Sequence, residues 1–307
     1  MTLEHYFESI EQVVQELAEA HYIADRALAT VLFLAHRLQK PVFLEGEPGV
    51  GKTEVGVVMA SLFDTQLIRL QCYEGLDVST ALYEWNYPKQ LLHIRLEEQG
   101  KRGKEEIERL IYGAEFLIKR PLLEAIVSSN EKAPVLLIDE IDRSDEEFEA
   151  FLLEVLSDFQ ITIPEIGTLS AKKKPMVVVT SNRTRDVHDA LKRRCLYHWI
   201  DYPSFKKEYR IVTTRLPQIE NNLAKQVITF MQKIREVDFL KVPGVSETLD
   251  WARALLTMQR KYLDEGVVQE TLGCLLKYQD DIKRFREEIW VDHEQRLRYL
   301  EPVEEDA

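Results

Sequence analysis

Gly46-Glu47-Pro48-Gly49-Val50-Gly51-Lys52-Thr53 is the stretch that decides the fold. A short apolar run, Pro41 to Leu44, leads into it, and Val55, Val58, Met59 and Leu62 follow at helical spacing. Strand, glycine loop, helix is the order a phosphate-binding loop requires. Gly46, Gly49 and Gly51 open backbone conformations that turn successive N–H groups inward at phosphate oxygens, and the helix N-terminus adds its partial positive charge. Lys52 is expected to reach the β and γ phosphates as a point charge, and the Thr53 hydroxyl to join the coordination sphere of Mg²⁺.

Working outward, two further runs of branched apolar residues read as buried strands. Val135 to Ile138 ends in Asp139-Glu140, and Met176 to Thr180 ends in Ser181-Asn182; Leu67 to Leu70 and Tyr197 to Ile200 are weaker strand candidates. Strands alternating with helices imply a parallel sheet covered on both faces, with ligands at the C-terminal strand edge. At that edge Asp139 is expected to hold Mg²⁺, and Glu140 to orient and polarise the attacking water. Asn182 is a neutral group able to hold the same water from the other side; the bland alternative is a helix cap or turn.

Before the loop, Leu3 to Leu38 carries apolar residues at the spacing of two helices. After Tyr202-Pro203 the strand signals stop. Amphipathic patterns then cover Lys206 to Thr214, Gln218 to Glu236, Ser246 to Leu263, Glu265 to Leu276 and Asp280 to Arg298. The expected organisation is an α/β nucleotide-binding core with N-terminal helices over 1–203, an all-helical lid over 204–298, and an acidic tail over 299–307.

Composition narrows the partners. The 307 residues hold 53 acidic and 40 basic side chains, a net charge of −13, and are 45% hydrophobic, which is ordinary for a soluble globular protein. An acidic balance does not suit a sequence-independent nucleic-acid binder. Cys72, Cys195 and Cys274 lack disulfide or zinc spacing, and no apolar run suits a membrane span, so a cytoplasmic protein with no membrane partner is expected. The acid-rich stretch Asp139 to Asp158 interleaves Phe148, Phe151, Leu152, Val155 and Leu156 at helical spacing; most of its acids are expected on a solvated face, with Glu146 and Glu147 available for a subunit contact.

The phosphate loop, the Asp139-Glu140 strand, the Asn182 strand end and the helical region together resemble an AAA+ ATPase with a P-loop NTPase fold. Arg69-Leu70-Gln71-Cys72-Tyr73-Glu74-Gly75-Leu76-Asp77 and the wording of Glu45 to Thr53 resemble the MoxR branch, nearest to the ATPases associated with carbon-monoxide-dehydrogenase-type enzymes. The resemblance implies ATP and Mg²⁺ as ligands, with Gly46, Glu47, Pro48, Gly49, Val50, Gly51, Lys52, Thr53 and Glu54 around the nucleotide and Tyr22-Ile23 beside the adenine. Local helix packing accounts for Tyr22 equally well.

It implies a homo-oligomeric ring, a hexamer, whose subunits lend an arginine to their neighbours. Within Asp189-Ala190-Leu191-Lys192-Arg193-Arg194-Cys195, Arg194 is favoured and Arg193 is second. A second family arginine, at the start of a lid helix, is missing from Gly244-Val245-Ser246-Glu247-Thr248, and Arg253 is the candidate substitute. The branch's two pore insertions match Tyr73 to Leu92 and a hairpin within Phe159 to Pro175; Trp85 and Tyr87 either contact clients or pack beneath their own subunit. The implied function is ATP-driven remodelling or maturation of a client protein, plausibly a metalloenzyme, with a von Willebrand A domain partner. The rivals are a nucleic-acid motor or loader and a nucleotide-gated adaptor with little turnover.

Overall fold

In the computed structural model, residues 6–97, 110–291 and 293–301 are described. The expected tail beyond Glu301 lies outside them. The chain divides into two compact units. The first holds residues 25–45 and 53–199 with the N-terminal segment to 16; the second holds 17–24, 46–52 and everything from 200 on.

The first unit is built on a five-stranded sheet in the order β2-β5-β8-β1-β9: β1 is Val42–Gly46, β2 Leu67–Gln71, β5 Val135–Asp139, β8 Met176–Ser181 and β9 Leu196–Ile200. The β2/β5, β5/β8 and β8/β1 pairs are parallel. The three inner strands are near-continuous apolar runs, as a sheet covered on both faces demands, and every residue of β1 and β5 is buried. The edge strand β2 instead alternates, burying Ile68 and Leu70 and turning Arg69 outward.

Register aligns the polar strand ends. Gln71 lies opposite Asp139, and Glu45 opposite Ser181. All the candidate strand-end residues therefore share one edge.

The two insertions take separate forms. β3, Tyr83–Trp85, pairs antiparallel with β4, Leu117–Lys119, ahead of a helix over Tyr87–Glu97. Trp85 is 8% exposed and meets Tyr83 and Tyr112 edge-on, whereas Tyr87 is 61% exposed. The open question thus splits: Trp85 packs inside its own unit and Tyr87 stands out. β6, Gln160–Ile163, and β7, Gly167–Ser170, form the expected hairpin.

The second unit is helical after Pro203, with helices at Phe205–Arg215, Asn221–Arg235, Val245–Thr257, Glu265–Thr271, Gln279–Arg284 and His293–Leu300. Two long helices expected from periodicity are shorter. Ser246 to Leu263 stops at Thr257, because Gln259 turns left-handed (φ +56) and the Arg260 N–H returns to the Leu255 carbonyl. Asp280 to Arg298 is interrupted at Trp290, whose ring stacks on Phe285 at 5.3 Å within a cluster that includes Phe230 and Trp251. Packing the aromatics outweighs continuing the helix.

Candidate active site

The phosphate loop belongs to the second unit. Gly49 sits at φ +77, and a Cβ there would come within 2.5 Å of the Ser246 Oγ. A Cβ on Gly46 would lie 2.1 Å from the Ile200 carbonyl oxygen, an impossible contact, so no larger residue fits. Lys52 is 5% exposed, and its ammonium donates to the Gly46 and Glu47 carbonyls, both at 2.7 Å. The loop thus already cradles one charge. Tyr22 and Ile23 are each 9% exposed, and the Tyr22 hydroxyl donates to the Gly51 carbonyl at 3.4 Å. Glu47 and Pro48 are exposed; Val50, Thr53 and Glu54 are half-buried.

The loop also holds the helix Val245–Thr257. Both the Val245 and Ser246 N–H groups donate to the Gly49 carbonyl, at 3.0 and 3.2 Å. Glu247, in the segment that lacks the second family arginine, accepts the Gly244 N–H at 2.8 Å. Arg253 pairs with Asp250 at 3.0 Å, both more than half exposed, so its guanidinium is engaged on the helix surface.

In the first unit, Asp139 is 1% exposed and fully engaged. Its Oδ1 accepts the Thr53 hydroxyl at 2.9 Å and the Thr180 hydroxyl at 2.6 Å, while Arg69 lies 2.5 Å from Oδ2. Burying a lone carboxylate is costly, and the guanidinium supplies the opposing charge. Thr53 and Asp139, placed 86 residues apart in sequence, are joined by one hydrogen bond between their side-chain oxygens. That hard-oxygen pair is the donor chemistry a Mg²⁺ ion prefers.

Glu140 follows with φ +56 and ψ +53, a left-handed conformation that costs a residue with a Cβ about 1–2 kcal/mol. The Thr180 hydroxyl holds it there by accepting its N–H at 2.9 Å. The turn swings the Glu140 carboxylate out of the strand line. One oxygen accepts from Asn182 Nδ2 at 3.2 Å; the other accepts from Gln71 Nε2 and Arg143 Nη1, each at 3.1 Å. Asn182 is therefore a partner of Glu140, rather than only a turn residue. A carboxylate so held can accept a proton from a water once one donor gives way.

Gln71, Thr180, Arg69 and Arg143 carry no expected role in the site from the sequence, although Arg69 and Gln71 lie in the stretch that bears the branch resemblance. A positional signal was available for Gln71 and Thr180, which stand at or beside the end of a recognised strand.

Beyond the Asp139-Glu140 strand end, most acids of the 139–158 stretch are exposed, as expected, but two are not. Asp142 and Glu149 are 2% and 0% exposed, so they are not part of a solvated face. Asp142 accepts the Asn182 N–H at 3.1 Å, the Thr184 N–H at 2.8 Å and the Thr184 hydroxyl at 2.7 Å. Burial alone would raise its carboxyl, but the Thr184 and Asn182 hydrogen bonds overcome that and hold it below the usual range. Glu149 pairs with Arg185 and accepts the His188 N–H at 2.7 Å. These two acids fix the loop from Asn182 to the helix Asp189–Arg194. Glu146 and Glu147 are exposed, as are Arg193 and Arg194.

Burial pushes the Cys72 and Cys195 thiols up to about 12, which removes them as nucleophiles near neutral pH. A cavity of about 720 Å³ opens at the other edge of the sheet, between Lys40, Lys132, Ala133 and Lys172 to Met176. No expected site residue lines it.

A family model for the AAA domain, dynein-related subfamily, matches residues 41–195. The chain belongs to that family. Its members are ATP hydrolases, and this AAA protein is one of them. An uncharacterised protein of Staphylococcus aureus (strain NCTC 8325) is 25% identical over 228 residues, covering 72% of this chain and 77% of its own. Among solved structures, a RuvB mutant of Thermotoga maritima is 18% identical with a TM-score of 0.48, covering 93% of this chain and 79% of its own. The Thermotoga maritima RuvB Holliday junction branch migration motor is 16% identical, with a TM-score of 0.44 over 92% of this chain and 76% of its own. Among the described residues no helix is long and apolar enough to cross a membrane.

Proposed function

We propose that this AAA protein is a MoxR-type, Mg²⁺-dependent ATPase of the cytoplasm that assembles into a hexameric ring and uses hydrolysis to remodel or mature a client protein. A von Willebrand A domain protein is the proposed partner, and a metalloenzyme the proposed client. One observation carries the catalytic part: Glu140 is held between Asn182 and Gln71 at the strand end where the Thr53 hydroxyl donates to Asp139.

The roles follow from that chemistry. The N–H groups of Gly46 to Thr53 and the Lys52 ammonium would bind the phosphates, with Glu54 in the same helical turn and Tyr22 and Ile23 beside the base. Thr53 and Asp139 would hold Mg²⁺, which when bound neutralises charge on the phosphate oxygens. Glu140 takes the proton of the attacking water while Asn182 keeps that water in line. Arg194, with Arg193 second, serves the neighbouring subunit by placing a planar cation against the charge that develops in the transition state. Exposed arginines on a short helix suit a role played outside their own subunit.

Glu140→Gln is expected to bind ATP with unchanged affinity and to stop turnover, and Lys52→Ala to lose binding. The Glu140→Gln protein, held with ATP, should be a ring by sedimentation and should retain client and partner in a pull-down from its own cell. Normal hydrolysis by Glu140→Gln would overturn the catalytic assignment. A monomer under ATP would overturn the ring, and ATPase stimulation by DNA without protein capture would favour a nucleic-acid motor.

A further inference from the structure

The helix Asp189–Arg194 is too short to hold itself together, so its direction is set by what grips its ends. At the start, the buried Glu149 takes the His188 N–H and pairs with Arg185. Near the other end, Lys192 Nζ lies 3.1 and 3.2 Å from the two oxygens of Glu45, a residue 3% exposed. The Tyr197 hydroxyl donates to the same carboxylate at 2.9 Å. The Lys192 ammonium also lies over the Phe43 ring at 5.5 Å and the Tyr197 ring at 6.0 Å, and these rings stack at 6.2 Å and 19°. Burial first, then the bond to Glu45, pushes the Tyr197 phenol up to about 12.

The positions of these residues give the cluster its meaning. Glu45 immediately precedes the phosphate loop, and Lys192 immediately precedes Arg193 and Arg194. Successive helical residues point about 100° apart, so tying Lys192 inward to β1 turns the next two side chains away from it. Both are exposed.

We propose that Glu45, through Lys192 and Tyr197, positions Arg193 and Arg194 for the nucleotide of the neighbouring subunit. The strand that enters a subunit's own phosphate loop thereby governs how well that subunit serves its neighbour. Glu45 and Lys192 are positioning residues and touch no reacting atom. The inference rests on the assignment of Arg193 and Arg194 as arginines acting in trans.

Mixed rings separate that role from general stability. Wild-type subunits are doped with an excess of Glu140→Gln subunits, which do not hydrolyse ATP but still present their arginines. Turnover is then compared for doping with Glu140→Gln/Glu45→Gln subunits and, as a reference, with Glu140→Gln/Arg193→Ala/Arg194→Ala subunits. The Glu45→Gln donors are expected to lower wild-type turnover at least about tenfold below plain Glu140→Gln donors, as small misplacements of a catalytic group do. They should keep ring assembly and affinity for a fluorescent ATP analogue. Tyr197→Phe donors, which keep the ring stack and lose one bond, should lower it about threefold, and they carry the test if Glu45→Gln does not fold. Should the arginine-free donors act like plain Glu140→Gln donors, the trans assignment falls and this inference with it. Should they lower turnover while the Glu45 and Tyr197 variants do not, only the positioning role falls. A loss of analogue affinity equal to the loss of turnover would make Glu45 a support of its own phosphate loop and overturn the inference.

Discussion

Replacing Thr180 by valine tests whether one hydroxyl joins the two acids of the site. The side chain is 1% exposed; it donates to Asp139 at 2.6 Å and accepts the Glu140 N–H at 2.9 Å. Valine keeps the shape and opens no cavity, so the change isolates hydrogen bonding. Losing a bond to a buried carboxylate costs about 1.5–3 kcal/mol, and leaving a buried N–H unpaired costs about 1–3 kcal/mol. Thr53 and Arg69 stay on Asp139, which keeps its charge compensated. The expected total is about 3 kcal/mol, roughly a 150-fold rise in local opening. Thr180→Ser keeps both bonds and loses a methyl group, worth about 1 kcal/mol. Hydrogen exchange over β5 and β8, followed by mass spectrometry, reads both numbers against the amides of the helical unit in the same molecules. If valine costs less than serine, the hydroxyl does not hold the site and the left-handed Glu140 must be secured otherwise.

The other expectations are shorter. Arg235→Met strands the buried Glu208, which now takes two bonds from that guanidinium at 2.7 Å, and should destabilise the helical unit by about 3–5 kcal/mol. Adding Glu208→Met should restore part of the loss in thermal unfolding, and a double variant no more stable than the single one would refute the argument. Asp142 titrates below its usual range when folded, so the unfolded chain takes up the proton first. Its contribution is therefore complete above about pH 4 and disappears as the pH falls through the folded value; the wild-type advantage over Asp142→Asn should shrink on that acid side, and a constant difference would count against it. At pH 8, iodoacetamide should label Cys274 well ahead of Cys72 and Cys195, whose thiols titrate near 12, as peptide mass mapping would show.

The strands that position the site were legible because burial on both faces writes itself as runs of Val, Leu and Ile, and the glycine loop because few other residues fit its turns. What stayed hidden were polar residues outside the recognised motifs whose meaning depends on a distant partner. Asp142 and Glu149 look like their solvated neighbours until Thr184 and Arg185, about forty residues on, are folded against them. Gln71 and Thr180 acquire roles only through strand register, which apolar runs do not specify to the residue. The lid helices were overextended for a related reason: apolar spacing continues through Gln259 and Trp290, while the turn at one and the aromatic cluster at the other are tertiary choices.

The charge of −13 can now be divided by what each acid does. Glu45, Asp139, Asp142, Glu149, Glu208 and Asp281 are all 3% exposed or less, and each is met by a cation, a hydroxyl or backbone N–H groups. Water does not stabilise these charges, so each one fixes the position of whatever does. Glu45 and Glu149 fix the arginine helix, Asp142 fixes Asn182, and Glu208 fixes Arg235 and Thr248 in the helical unit. The exposed acids set the net charge and, by screening in salt, contribute little to geometry. Raising the ionic strength should therefore weaken the proposed subunit contact of Glu146 and Glu147 well before it disturbs the internal order of the site. A salt titration that abolished nucleotide affinity while leaving the proposed ring assembled would contradict that division.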